Sequence, residues 1–132
     1  MMRVMLDTSA YSAFMRGHAE VKLAVQLADE ICLSPVAMGE LRVGFRLGGR
    51  QRQNENELAA FLESPRVSVV DVVEATAECY AEITGFLRRA GTPIPTNDIW
   101  IAASAMQHGL RVLTTDAHYR RIPQVLVDYC RA

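Results

Sequence analysis

Short apolar runs alternate along this chain with longer segments in which apolar residues recur every three or four positions. Arg3 to Leu6 is the first run, an unbroken apolar stretch of the kind a strand takes when both faces are buried. Further runs lie at Glu30 to Leu33, Val67 to Val70 and Val112 to Thr114, with a shorter one at Val125-Leu126-Val127. The segments between them predict helices. Asp7-Thr8-Ser9 opens one, continued by Tyr11, Phe14 and Met15, and Val21 to Asp29 is a second with Val21, Leu23, Ala24, Leu27 and Ala28 apolar. Ser34-Pro35 opens a third, with serine as cap and proline in the first turn, and Gly48-Gly49 stops it. Arg50 to Ser64 reads as a helix with a polar first half, ended by Pro65. Glu74 to Ala90 carries Ala77, Tyr80, Ala81, Ile83, Thr84 and Leu87 on its inner side, and Gly91 follows. Thr92-Pro93-Ile94-Pro95 is extended, because a residue before proline avoids helix. A last helix spans about Asn97 to His108, and Tyr119 to Pro123 reads as a turn or short helix.

Two helices between successive strands imply an α/β fold: a central parallel sheet of four to five strands with helices on both faces. The chain of 132 residues suits one domain over residues 1–132. Half of the residues are hydrophobic and 22% are charged, which excludes a disordered chain. The three cysteines, Cys32, Cys79 and Cys130, are scattered, as expected for reduced thiols. His18, His108 and His118 are scattered too, which argues against a zinc site. No apolar run approaches the ~20 residues a membrane span needs. The expectation is a cytoplasmic protein that does not enter a membrane.

Four acids change the picture. Asp7 and Asp116 each follow a strand, Asp98 lies in the first turn of the helix before strand four, and Glu40 lies in the helix after strand two. Glu40 shares a helix face with Val36, Val43 and Leu47, so it reads as a charge on an apolar stripe. Each acid alone has an ordinary account. Asp7 can cap a helix for ~1 kcal/mol. Asp98 can gain roughly 0.3–1 kcal/mol from the helix dipole. Glu40 can pair with Arg42 or Arg46, and Asp116 can make a turn. Together they converge, because ligands of open parallel sheets bind beyond the carboxyl ends of the strands. Clustered carboxylates repel unless cations are present, and hard divalent ions suit oxygen ligands. Such ions activate water and stabilise the leaving oxygen of a phosphodiester. Thr8, Ser9, Asn97, Thr114 and Thr115 stand beside the acids, where they can orient carboxylates or simply cap and turn the chain.

Four blocks carry a family resemblance: Val4 to Ser9, Ser34 to Leu41, Pro95 to Ala103, and Leu113 to Tyr119. In order and spacing they resemble the PIN-domain ribonucleases, and among these the VapC toxins of type II toxin–antitoxin systems. The resemblance implies a PIN-like three-layer α/β/α domain and an endoribonuclease dependent on Mg²⁺ or Mn²⁺. It implies Asp7, Glu40, Asp98 and Asp116 as catalytic and metal-binding acids; beside them, Thr8, Asn97, Thr114 and Thr115 are the candidate orienting residues. Some members carry a further acid after the fourth, where this chain reads Ala117-His118-Tyr119, leaving one or two metals open. It also implies a homodimer and a cognate VapB-like antitoxin that covers the site and inserts a basic side chain.

For RNA, Arg16, Arg42, Arg46, Arg50, Arg52, Arg88, Arg89, Arg120 and Arg121 are candidate phosphate contacts, and Trp100 and Tyr119 candidate base-stacking rings. The alternative is a catalytically silent acidic-pocket domain for binding or signalling. A response-regulator-like receiver needs paired N-terminal acids, an acid after strand three and a late lysine. Here Asp7 is single, Asp71 would be the strand-three acid, and the sole lysine, Lys22, is misplaced. A haloacid-dehalogenase-like phosphohydrolase needs an acid where Ser9 stands.

Overall fold

The structure is a computed structural model describing residues 1–132. In chain order it contains β1 (Arg3–Leu6), α1 (Thr8–Met15), α2 (Ala19–Leu27), β2 (Glu30–Leu33), α3 (Pro35–Leu47) and α4 (Gln51–Leu62). It continues with β3 (Val67–Val69), α5 (Glu74–Ala90), α6 (Thr96–His108), β4 (Arg111–Thr114), a 3₁₀ turn at Ala117–Arg121 and β5 (Val127–Tyr129). The five strands form one sheet in the order β3-β2-β1-β4-β5, every neighbouring pair parallel. No helix is long and apolar enough to cross a membrane.

The unbroken apolar runs make sense in this sheet. Val4, Leu6, Ile31, Leu33 and Leu113 point to one face, into a core with α1, α2 and α4. Met5, Cys32 and Val112 point to the other, into a core with α5 and α6. Alternate residues therefore fill two different cores, the condition under which a strand carries no polar face. Helix α3 sits across the boundary, with Ala37 in one core and Leu41 in the other.

Three helical faces differ from the expected ones. On α3 the buried residues are Ala37 and Leu41, whereas Val43 and Leu47 are exposed, Leu47 at 84%. The later half of the stripe holding Glu40 therefore looks outward, while Val36 packs against the core shared with α5 and α6. On α2, Val21 and Val25 are buried but Leu23 and Leu27 are exposed. On α5, Thr76, Ile83 and Leu87 face inward while Ala77 and Ala81 do not. Buried Thr76 replaces an apolar residue because its hydroxyl is satisfied, accepting from the Val73 N–H at 3.0 Å and donating to Gln107 Oε1 at 2.5 Å. Strand β5 falls two residues later than expected. Its register is pinned by Arg111, which donates to both Asp128 carboxylate oxygens at 2.8 and 2.6 Å, a contact that apolar content does not signal.

Arg66 also acts where no pattern suggests it. Its Nη1 donates to the carbonyls of Val25 and Ala28, at 3.0 and 2.6 Å, satisfying the open end of α2. Arg66→Ala should lower the unfolding free energy by about 1–2 kcal/mol, read by urea denaturation, with the m-value unchanged.

Candidate active site

The site forms where the chain order reverses. From β1 the sheet extends to β2 on one side and to β4 on the other, so the crevice lies beyond the carboxyl ends of β1 and β4. Asp7 follows β1 directly and Asp116 lies two residues beyond β4. Helix α6 brings Asp98 in its first turn, and α3 brings Glu40. This order also argues against a receiver-like module. Asp71 follows β3, two strands from β1 and thus about 10 Å away at the usual interstrand spacing.

Asp7 is 2% exposed. It does cap α1, accepting the Ala10 N–H on Oδ1 at 2.8 Å. Ser9 Oγ lies 2.8 Å from both its oxygens, and Thr114 Oγ1 donates to Oδ2 at 2.7 Å. Burial pushes its pKa up, these three donors pull it back, and Asp116 pushes it up again. Capping and site-building are therefore compatible roles for one carboxylate. The neighbouring polar groups are tied together. Thr114 Oγ1 accepts the Asp116 N–H at 2.9 Å, and Ser9 Oγ accepts the Thr115 N–H at 3.1 Å. Thr115 thus reaches the site network through its backbone.

Glu40 does not pair with Arg42 or Arg46. Thr8 Oγ1 donates to its Oε1 at 2.5 Å and Asn97 Nδ2 to its Oε2 at 3.2 Å, while Arg42 pairs with Glu55. One carboxylate thereby links α1, α3 and α6. Asp98 accepts the Tyr119 hydroxyl on Oδ1 at 3.3 Å. Burial raises the Asp98 pKa most, Asp116 next, with Asp7 and Glu40 adding to it against the Tyr119 hydrogen bond, to about 6. Tyr119 is fully buried beside these charges, and burial above all pushes its phenol far up. It stays a donor and cannot stack on a base. Trp100 is likewise engaged, stacked on Tyr80 with centroids 4.1 Å apart.

The acids lack basic partners. The arginine ion pairs are Arg3–Glu30, Arg42–Glu55 and Arg111–Asp128, none at the site. Only His118 approaches, its Nδ1 3.2 Å from Asp116 Oδ1 and 3.9 Å from Asp98 Oδ2. Asp98, Asp116 and His118 each offer a donor atom within 4.8 Å of the others, and no such trio includes Asp7 or Glu40. Asp7 and Glu40 act on Asp98 through charge. A divalent cation fits this donor set: oxygen-rich, short of positive charge, and with a buried His118 Nδ1 that has no hydrogen-bond partner. The scattered spacing of the histidines hid His118. The available signal was local: Asp116 Oδ1 accepts the His118 N–H at 2.9 Å, the Asx-turn geometry that folds residue two back over the acid.

The raised Asp98 pKa has a definite sign. The folded state holds this proton more tightly than the unfolded chain, so its charge destabilises the metal-free fold above pH 6. Asp98's contribution should make metal-free protein more stable as pH falls from 7 through about 6, levelling off near the ordinary carboxylate value of 3.8. Thermal unfolding in a chelator at pH 7, 6 and 5, beside Asp98→Asn, isolates that contribution as the difference between the two profiles.

Residues 4–125 match the PIN domain family. Ribonuclease VapC4 of Mycobacterium tuberculosis is 35% identical over 95 residues, covering 72% of this chain and 73% of that protein. The tRNA(fMet)-specific endonuclease VapC of Salmonella typhimurium is 28% identical over 134 residues, covering 98% of this chain and 100% of that protein. A crystal structure of DNA-bound VapBC from Salmonella typhimurium superposes with a TM-score of 0.85 at 26% identity, covering 98% of each chain.

Proposed function

The chain belongs to the PIN-domain family, among relatives named VapC ribonucleases, and on that premise we propose that it is the toxin of a VapBC-type pair, cutting RNA with a bound divalent cation. It is a nuclease acting on phosphodiester bonds. The observation that carries the reading is the group of buried and half-buried carboxylates at the β1/β4 crevice, with no arginine or lysine paired to them.

Asp7, Glu40, Asp98 and Asp116 are the catalytic acids in this reading, and they would hold Mg²⁺ or Mn²⁺. When bound, such an ion lowers the pKa of water and stabilises charge on the phosphodiester oxygens. The chain's own residues supply position. Thr114 and Ser9 fix both oxygens of Asp7, and Thr8 and Asn97 fix those of Glu40. Tyr119 keeps its proton and holds Asp98 from the buried side. Thr115 contributes through its N–H to Ser9. Arg120 and Arg121 ride on the turn that carries His118. Arg121 is anchored on the Pro93 carbonyl at 3.2 Å and Arg120 lies 5.2 Å from the centre of the Tyr129 ring, positions suited to backbone phosphates.

A VapB-like antitoxin is the protein partner in this reading. A cleft of about 180 Å³, with Tyr11, Met15, Leu41 and Phe45 set among Ser12, Arg16, Asn54 and Glu57, suits an amphipathic peptide segment. Exposed Val43 and Leu47 on α3 suit a contact between two copies of the chain, and a homodimer in the cytoplasm is the expected form.

Incubation of the purified chain with RNA, in chelator and with Mg²⁺ or Mn²⁺ restored, tests the reading. Cleavage should need the metal and be lost in Asp7→Asn. Metal-independent cutting, or full-rate cutting by pure Asp7→Asn, would overturn it.

A further inference from the structure

We propose that His118 is a nitrogen ligand of the ion held by Asp98 and Asp116, and that this nitrogen makes the site select Mn²⁺ over Mg²⁺. The inference rests on the metal-dependent reading above and adds a ligand to it.

Three observations support it. His118 Nδ1 is buried and has no hydrogen-bond partner, although the side chain as a whole is 42% exposed. A buried polar atom left without a partner needs a reason, and here it faces two carboxylates rather than water. Its contact with Asp116 Oδ1, at 3.2 Å, lacks hydrogen-bond alignment, so an ordinary His–Asp pair does not satisfy it. The spacing suits a shared ion. Donors about 2.1 Å from one ion lie about 3 Å apart when adjacent and about 4 Å when opposite. The two separations here are 3.2 and 3.9 Å.

The chemistry then sets the preference. Two carboxylates balance the charge of one divalent ion, and a neutral imidazole adds a donor without adding charge. Mg²⁺ takes oxygen ligands and retains its waters, whereas imidazole binds transition metals more readily. The backbone places residue 118 beside the acid, since the His118 N–H is donated to Asp116 Oδ1. The other two histidines are occupied or remote: His18 Nε2 contacts the Arg131 carbonyl at 2.8 Å, and His108 is exposed at the end of α6.

Pulsed electron paramagnetic resonance of the Mn²⁺-loaded full chain, with ¹⁵N-labelled histidine, reads the ligand directly. The wild type should show a coupled histidine nitrogen that is absent from His118→Ala. Calorimetric titration should show His118→Ala losing Mn²⁺ affinity by roughly tenfold or more with Mg²⁺ affinity within about threefold. Mn²⁺ binding without a nitrogen coupling, or with one that persists in His118→Ala, would overturn the assignment of His118 alone. So would an unchanged ratio of Mn²⁺ to Mg²⁺ affinity. A wild type that binds neither ion would bring down the metal-dependent reading as well. A wild-type spectrum without the coupling overturns the assignment on its own, and where His118→Ala fails to fold, His118→Gln serves in both measurements.

Discussion

Asp98→Asn should cut RNA at less than about a hundredth of the wild-type rate and yet unfold at a higher temperature when metal is absent. The two effects share one cause. Asp98 is half-buried among Asp116, Asp7 and Glu40, and its pKa is pushed up to about 6. A tenfold change in proton affinity is about 1.4 kcal/mol, so keeping Asp98 ionised at pH 7 costs the metal-free fold about 2–3 kcal/mol. Asparagine has nearly the same shape, keeps an acceptor for the Tyr119 hydroxyl, and carries no charge. A rise in Tm of roughly 7–11 °C in chelator at pH 7 is expected. The lost carboxylate removes metal affinity and charge stabilisation worth several kcal/mol, hence the loss of rate at about 1.4 kcal/mol per tenfold. Mn²⁺ should raise the Tm of the wild type, because a ligand of the folded state stabilises it by mass action, and should do so far less in the variant. An Asp98→Asn protein that is less stable without metal, or equally protected by Mn²⁺, would show that Asp98 is a structural acid.

Thr114→Val should damage the site without touching an acid. Thr114 is fully buried, and its hydroxyl both donates to Asp7 Oδ2 and accepts the Asp116 N–H. Valine preserves the shape but leaves that N–H unpaired, which costs about 1–3 kcal/mol. Thr114 is the first of the donors holding the Asp7 pKa down, so its loss should drive that pKa further up. Metal binding, which needs the ionised acid, should then require a higher pH. The expected result is a fall of roughly 10–100-fold in cleavage at pH 7, with a pH–rate profile displaced to the alkaline side. Thr114→Ser restores the hydroxyl and should recover both. A profile that drops without moving would assign Thr114 to stability only.

Much of this arrangement is legible along the chain. The apolar runs at Val4-Met5-Leu6 and Ile31-Cys32-Leu33 declare strands buried on both faces, and Ser34-Pro35 declares the start of α3 within one residue. These are local properties, set by side-chain period and by capping chemistry. The helix faces were less legible. Leu23, Leu27, Val43 and Leu47 are apolar yet exposed, because hydrophobicity marks a surface to be covered and not what covers it.

The elements, the parallel sheet, the three acids at strand and helix ends and Glu40 within α3 can be read along the chain, since each depends on residues a few positions apart. Strand order was decided only in three dimensions, by which strand edges meet across long crossovers. That order sets Asp7 and Asp116 on the two sides of one crevice and leaves Asp71 two strands from β1. The partners of the acids were decided there too. Thr8 and Asn97 meet on Glu40 from 32 and 57 residues away, and Thr114 reaches Asp7 across 107. Such contacts depend on how α1, α3, α6 and β4 pack, and a hydroxyl that will cap its own helix looks the same in sequence as one that will hold a distant carboxylate.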